Sequence, residues 1–172
     1  MTIFLQSVEG EKQTLEKAIN TSNTLMRNTS IFDRPLDFKT KIQPAKGVFV
    51  KSRIEYIIYD ALEESGVNFT YEEELRLSNG GHVIHPDFTI HTARATYYWE
   101  HLGILDTRAY FNMWQERKIQ YINNDLSDNL ITSDDLNGLE KAKIVEIIND
   151  IKTGNIQTTS ENKFSKHHYT LY

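Results

Sequence analysis

The chain reads as an α/β (α+β) domain with the element order α-β-β-β-α-β-α, entered through an N-terminal helical arm. Three observations predict this. Apolar residues recur at helical spacing in residues 48–66 and again in 139–151, two strand-like runs meet at the pair Asn79-Gly80, and an aromatic strand-like run follows after a short loop.

Residues 10–27, GEKQTLEKAINTSNTLMR, carry a modest helical pattern, and residues 28–47, NTSIFDRPLDFKTKIQPAKG, carry turn formers and two prolines that break any regular period. Residues 1–47 are therefore taken as the arm. From residue 48 the pattern tightens. VFVKSRIEYIIYDALEESG sets Ile54, Ile57, Ile58, Ala61 and Leu62 on one stripe, opens at Ser52 and stops at Gly66, which predicts an amphipathic helix. VNFTYEEELRL and HVIHPDFTI follow, joined by SNGG, and their Asn-Gly pair is a strong hairpin signal. With ATYYWEHLGIL they form an antiparallel meander. Asp106 and Thr107 can cap a helix over RAYFNMWQERKIQYIN; LITSDD then suggests a short strand, and LEKAKIVEIINDI a last helix with Ile144, Ile147, Ile148 and Ile151 in register. The core spans residues 48–152, and residues 153–172 have weak periodicity and read as a tail or partner-docking extension. Tyr169, Leu171 and Tyr172 would be costly to leave exposed there.

A chain of 172 residues, 39% hydrophobic and 25% charged, is long enough for one domain with a real core and too short for two comfortable ones. It has no cysteine, which excludes disulfides, thiolate metal sites and a cysteine nucleophile, and fits a reducing compartment. MTIFLQSVEGEKQ lacks the basic start and apolar run of a signal peptide, and no segment is apolar for long enough to span a bilayer. The expectation is a cytoplasmic protein with no membrane partner. A formal charge of -5 excludes general attraction to polyanions, so any nucleic-acid binding must be local.

The densest chemistry lies in HVIHPDFTIH, residues 82–91, with three histidines and one aspartate. Side chains alternate along a strand, so His82 and His85 point to opposite sides. His85, Asp87, Thr89 and His91 would share a face, but Pro86 marks a strand start or bulge after His85, and a histidine-based zinc centre ranks below a carboxylate site. Asp87 opens a strand whose other face carries Phe88 and Ile90. The next strand offers Glu100 between Trp99 and Leu102 in YYWEHLG, a poor place for a charge unless it is paired or metal-bound. Two carboxylates on adjacent strands can share Mg2+, with Mn2+ as a substitute, and that arrangement suits phosphodiester hydrolysis.

The ordered set KSRIE, HPDF, YYWEHLG and WQERK resembles the PD-(D/E)XK nuclease superfamily. More closely, it is similar to the nuclease-like domains found alone or appended to bacterial superfamily 1 helicases. The resemblance covers residues 48–152. It implies a restriction endonuclease-like core, with a central mixed sheet flanked by helices, and a metal-dependent nuclease acting on DNA ahead of RNA. Phage defence, mobile-element transfer and DNA repair are the settings it suggests, with nucleic acid and a helicase or ATPase as partners; self-association stays open. It further implies that Asp87 and Glu100 are metal ligands, that the main-chain carbonyl of His101 is another, and that Glu55 helps through water or a second ion. Ser52 and Glu55 also match a capping box, and the two roles of Glu55 are compatible.

The chain departs from the superfamily pattern at Leu102, where the motif has lysine. His101 can reach the site only if the strand bulges, because on a regular strand it faces away from Glu100. Lys118 is the better substitute, on one helical stripe with Tyr110, Trp114 and Tyr121. Lys51, Arg53 and Arg117, with Arg94 and Arg108, are candidate phosphate contacts by their placement near these elements. The alternative is a catalytically inactive nuclease-fold module that binds nucleic acid or a protein. Leu102 and the negative charge favour it, whereas the joint presence of Asp87, Glu100 and an inward lysine favours the enzyme.

Overall fold

The computed structural model describes residues 47–79, 81–103, 108–159 and 164–172. The expected arm, apart from Gly47, and the cap at Asp106 and Thr107 lie outside the described residues.

Helix α1 is Arg53–Ser65. Ser52 Oγ accepts the Glu55 N–H at 3.1 Å, and Gly66, at φ 69, turns the chain out in the left-handed conformation that glycine adopts without steric cost. The run expected as one strand is divided into β1 (Asn68–Tyr71) and β2 (Leu75–Arg76), because Glu72 sits at φ 49 between them. Its partner is divided as well, into β3 (Val83–Ile84) and β4 (Phe88–His91), with Pro86, which has no N–H to give, between the two. β2 and β3 pair as a separate ribbon whose SNGG loop is closed by Leu77 N–H donating to the His82 carbonyl at 2.8 Å. β5 (Thr96–His101), α2 (Arg108–Asn123), β6 (Leu130–Asp134), α3 (Lys141–Thr153) and β7 (His167–Thr170) follow.

The result is a mixed α/β arrangement around a five-stranded sheet in the order β1-β4-β5-β6-β7. The β1-β4 and β4-β5 pairs are antiparallel, and the β5-β6 and β6-β7 pairs are parallel. Alternation along the strands gives the sheet two apolar faces. Phe88, Ile90, Tyr97, Trp99 and Ile131 pack with α1 and α3, while Tyr98 and Leu130 cluster with Trp114 and Tyr121 of α2 and with Leu77 and Ile84 of the ribbon.

The segment read from the sequence as a tail supplies β7. It pairs in parallel with β6, from Ile131 opposite His167 to Asp134 opposite Thr170, and buries Tyr169 and Leu171. A line of polar contacts fastens it. The Ser165 and Thr132 hydroxyls lie 2.8 Å apart, Thr132 Oγ1 is 2.9 Å from His168 Nδ1, and His168 Nε2 is 2.7 Å from Asp134 Oδ2. With Nε2–H donating to the Asp134 carboxylate, Nδ1 faces the Thr132 hydroxyl, so each group in the line has a partner.

Leu171 is fully buried in the main core. Leu171→Ala should therefore lower stability by about 2–5 kcal/mol in urea unfolding, whereas a dispensable tail would leave the midpoint unchanged.

Candidate functional site

The β4-β5 register sets Phe88 opposite Trp99, and one step back it sets Asp87 opposite Glu100 on the face covered by α2. Glu100 is only 4% exposed, and Asp87 is half-buried. A backbone group addresses Asp87 across the strand pair: its Oδ2 accepts the His101 N–H at 2.8 Å.

Helix α2 supplies the counter-charge. Arg117 Nε donates to Glu100 Oε1 at 2.7 Å, and Tyr121, one turn further on the same face, donates its hydroxyl to the same oxygen at 2.6 Å. The Arg117 fork also donates to the His85 carbonyl, so one guanidinium holds the strand carboxylate and the ribbon together.

Burial, and then the charge of Glu100, hold the Asp87 carboxyl well above the usual carboxylate range. Glu55 pushes in the same direction, against the His101 amide and Arg117. Burial raises Glu100 too, opposed by Arg117 and Tyr121. Burial alone would lower Arg117, but Glu100, Tyr121 and Asp87 outweigh it and hold the guanidinium above its ordinary value.

Glu55 approaches from α1. Its Oε2 accepts the Tyr71 hydroxyl at 2.5 Å and the Lys51 N–H at 3.3 Å, while its own N–H is capped by Ser52. Of the expected capping box, the Ser52 half is formed, while the Glu55 carboxylate takes the Lys51 N–H and turns to Tyr71. Burial first, and then Glu55, push the Tyr71 phenol far above its usual value. Lys51 is exposed and paired with Glu72, and the charges of Asp87 and Glu55 also reach it.

Tyr110 of α2 is 43% exposed. Burial, and then the charges of Asp87, Glu100 and Glu55, raise its phenol. Tyr71, Tyr110 and Tyr121 were not read from the sequence as site residues. The spacing of Tyr110, Arg117 and Tyr121, at i, i+7 and i+11, was the available signal.

Where the sequence points to Lys118 as the substitute cation, the structure places Arg117 on Glu100. Lys118 is buried on the neighbouring stripe with Trp114 and Tyr121, and burial holds its ammonium below the usual value. The bulge that would bring His101 round is absent from β5, whose register runs unbroken to His101 opposite Ser133. The imidazole lies on the other face, with Nδ1 3.1 Å from Ser133 Oγ. Burial lowers its pKa, against the charges of Asp135, Glu55 and Asp134. Arg53 is lowered by burial, Arg108 is exposed, and Arg94 donates to the Thr153 carbonyl at the end of α3.

The three histidines of HVIHPDFTIH have separate surroundings. His82 lines a groove beside α2, His85 Nδ1 is 3.3 Å from the Glu72 carbonyl, and His91 Nδ1 is 3.2 Å from Thr96 Oγ1. Among the described residues, no group of three or more His, Asp or Glu side chains could hold a metal ion. The pair Asp87 and Glu100 remains as a two-carboxylate donor set, and Mg2+, which keeps several of its waters, can accept such a set. No family model, curated protein or solved structure gives a significant match to the chain. Among the described residues, no helix is long and apolar enough to cross a membrane.

A carboxyl whose pKa is raised by folding binds more protons folded than unfolded, between its ordinary value and its raised one. Stability therefore falls as pH rises through that window. Asp87→Asn, which keeps an acceptor for the His101 N–H, should raise Tm at pH 7.5, by about 2–4 °C for each ~1 kcal/mol of relieved repulsion. The gain should shrink as the pH of the melt falls toward the ordinary carboxylate range. A loss of Tm at pH 7.5 would mean that Asp87 is not under the strain described.

Arg117→Ala should cost about 3 kcal/mol by leaving Glu100 buried without its cation, and adding Glu100→Gln should recover part of the loss in the same unfolding assay.

Proposed function

We propose that the protein is a Mg2+-dependent nuclease that hydrolyses phosphodiester bonds, DNA ahead of RNA. One observation carries the reading. Asp87 and Glu100 are held side by side on adjacent strands, both raised by burial, and among the described residues one guanidinium, that of Arg117, is in contact with Glu100. Such a pair is short of positive charge, and a divalent ion supplies it. The element order supports the same reading. We take α1, β1, β4, β5, α2, β6 and α3 as a restriction endonuclease-like core, to which the ribbon and β7 are additions.

When bound, Mg2+ would acidify an attacking water and offset charge on the phosphate. The chain's own contribution is positioning. Asp87 and Glu100, with the His101 main-chain carbonyl, would hold the ion. Arg117 and Tyr121 fix the Glu100 carboxylate from α2, so the helix stands in for the lysine that Leu102 displaces. Glu55, tied by Tyr71, orients a water from the α1 side, and exposed Lys51 beside it meets a phosphate oxygen. The wider setting, a cytoplasmic protein acting in phage defence, mobile-element transfer or DNA repair with a helicase or ATPase partner, rests on the motif resemblance alone.

A second reading, a nuclease-fold module that binds without cutting, is favoured by Arg117 itself. A permanent guanidinium on Glu100 can neutralise that carboxylate in a site that takes no metal.

The assay that separates the two is cleavage of supercoiled, linear and single-stranded DNA and of RNA with Mg2+ or Mn2+. Wild type should cut at least one of these, and Asp87→Ala and Glu100→Ala should each slow cleavage about 100-fold or more, some ~2.7 kcal/mol of barrier. Mg2+ should also raise the Tm of wild type and leave that of Asp87→Ala unmoved. An inert wild type with no Mg2+ shift would leave the binding module as the reading that stands.

A further inference from the structure

Between the outer flank of α2 and the loop of the β2-β3 ribbon lies a groove of about 380 Å³, lined by Asn79, His82, Glu116, Ile119, Gln120 and Asn123. Its walls are fastened by amides. Asn79 donates its backbone N–H to Asn124 Oδ1 at 2.8 Å and its side-chain amide to the Asn123 carbonyl at 2.6 Å, and Asn124 donates to the Gln120 carbonyl at 2.8 Å. Gln120 and Asn123 thus serve the fastening through their main-chain carbonyls, which leaves their side-chain amides out of it, and both residues line the groove.

The groove and the carboxylates lie along the same helix. Arg117 binds the ribbon at His85, and Asn123 and Asn124 bind it at Asn79, so the ribbon runs beside α2 from the site to the groove. The groove's helical lining begins at Glu116, beside Arg117, and reaches Asn123 six positions beyond Arg117, about 9 Å at 1.5 Å each, a span of two to three stacked nucleotide steps of roughly 3.4 Å.

The lining chemistry selects the occupant. Among the described residues that form the groove there is no lysine or arginine, and Glu116 would repel a phosphate. Gln120 and Asn123 each present a donor and an acceptor side by side, the pattern on the edge of an unpaired base, and Ile119 offers apolar surface to its flat face. The volume is that of a small-ligand site.

We propose that this groove holds an unpaired nucleobase of the substrate strand, within two or three nucleotides of the bond that the carboxylates address. The protein would then act on single-stranded or frayed nucleic acid rather than on intact duplex. The placement relative to the cut bond rests on the nuclease reading.

The test measures binding, so that it does not depend on cleavage. In full-length Asp87→Asn protein, fluorescence anisotropy is read with a short single-stranded DNA, the same sequence as RNA, and the blunt duplex. Single strand should bind more tightly than duplex, and the double variant Gln120→Ala/Asn123→Ala should weaken it about tenfold or more, with duplex binding and Tm unchanged. Unchanged single-strand binding in the double variant overturns the proposal, and this includes the case in which a protein segment occupies the groove. Equal binding of duplex and single strand, or no binding of any oligonucleotide, overturns it as well. If wild type fails to cut while the groove variants lose single-strand binding, the nuclease reading falls and the base site stands. If wild type cuts and the groove variants bind normally, the base site alone falls.

Discussion

The rest of the structure is arranged around a buried carboxylate, Glu100, on the central strand of the sheet. An ionised carboxylate in that position costs several kcal/mol unless donors meet it. Arg117 and Tyr121 meet it on one oxygen, at 2.7 and 2.6 Å, and both belong to α2. The helix is therefore fixed to the sheet at a polar point as well as by its apolar stripe. That stripe is thin: α2 buries Trp114, Lys118 and Tyr121 and leaves Tyr110, Met113, Ile119 and Ile122 exposed. An apolar face so small would allow the helix to slide, and the directional contacts at Glu100 set its register. Through the His85 carbonyl, the same guanidinium then sets the ribbon.

Alternation along β5 turns that constraint into a division of labour. Trp99 faces the main core with α1 and α3 and donates its indole N–H to Ser133 Oγ at 2.8 Å; His101 shares that hydroxyl at 3.1 Å. Glu100, between them, faces α2. One short strand thus anchors the core on one side and carries the buried carboxylate on the other, and the rigid side orients that carboxylate. Asp87 is held similarly. Phe88 behind it is fully buried and packs against Trp99, with ring centroids 6.3 Å apart, and the His101 amide fixes its carboxylate.

Much of this was legible in the sequence, because the signals were local. Ser52 and Gly66 bound α1 through caps whose chemistry depends only on near neighbours, and the isoleucines of α3 mark its buried face. The pairing of Asp87 with Glu100 follows from a hairpin order and a period of two. What was not legible depended on distant partners. Glu72 takes a positive φ where its N–H meets the Asp87 carbonyl at 3.1 Å, and nothing in VNFTYEEELRL announces that contact. β7 is four residues long with a parallel partner more than thirty residues away, so its signal lies in β6. Arg117 and Lys118 are about 100° apart on the helix. The buried stripe pointed to Lys118, whereas the longer Arg117 reaches the carboxylate from the edge of that stripe. Periodicity tells which face is inward, but not how far a flexible cation at the rim can reach.

The identity of that cation has a further consequence. A lysine carries a compact ammonium that loses its proton readily when desolvated, whereas arginine stays charged and presents donors in a rigid plane. In this site the plane is used on two sides, Nε for Glu100 and the fork for the His85 carbonyl, and a single ammonium could not span both as rigidly. A guanidinium also cannot take up a proton from water at any accessible pH. The cation in contact with Glu100 is thereby limited to holding and neutralising charge, and the pH sensitivity of the centre rests on its carboxylates. An arginine on α2 in that role keeps Glu100 in place without making its hold depend on the protonation of the cation.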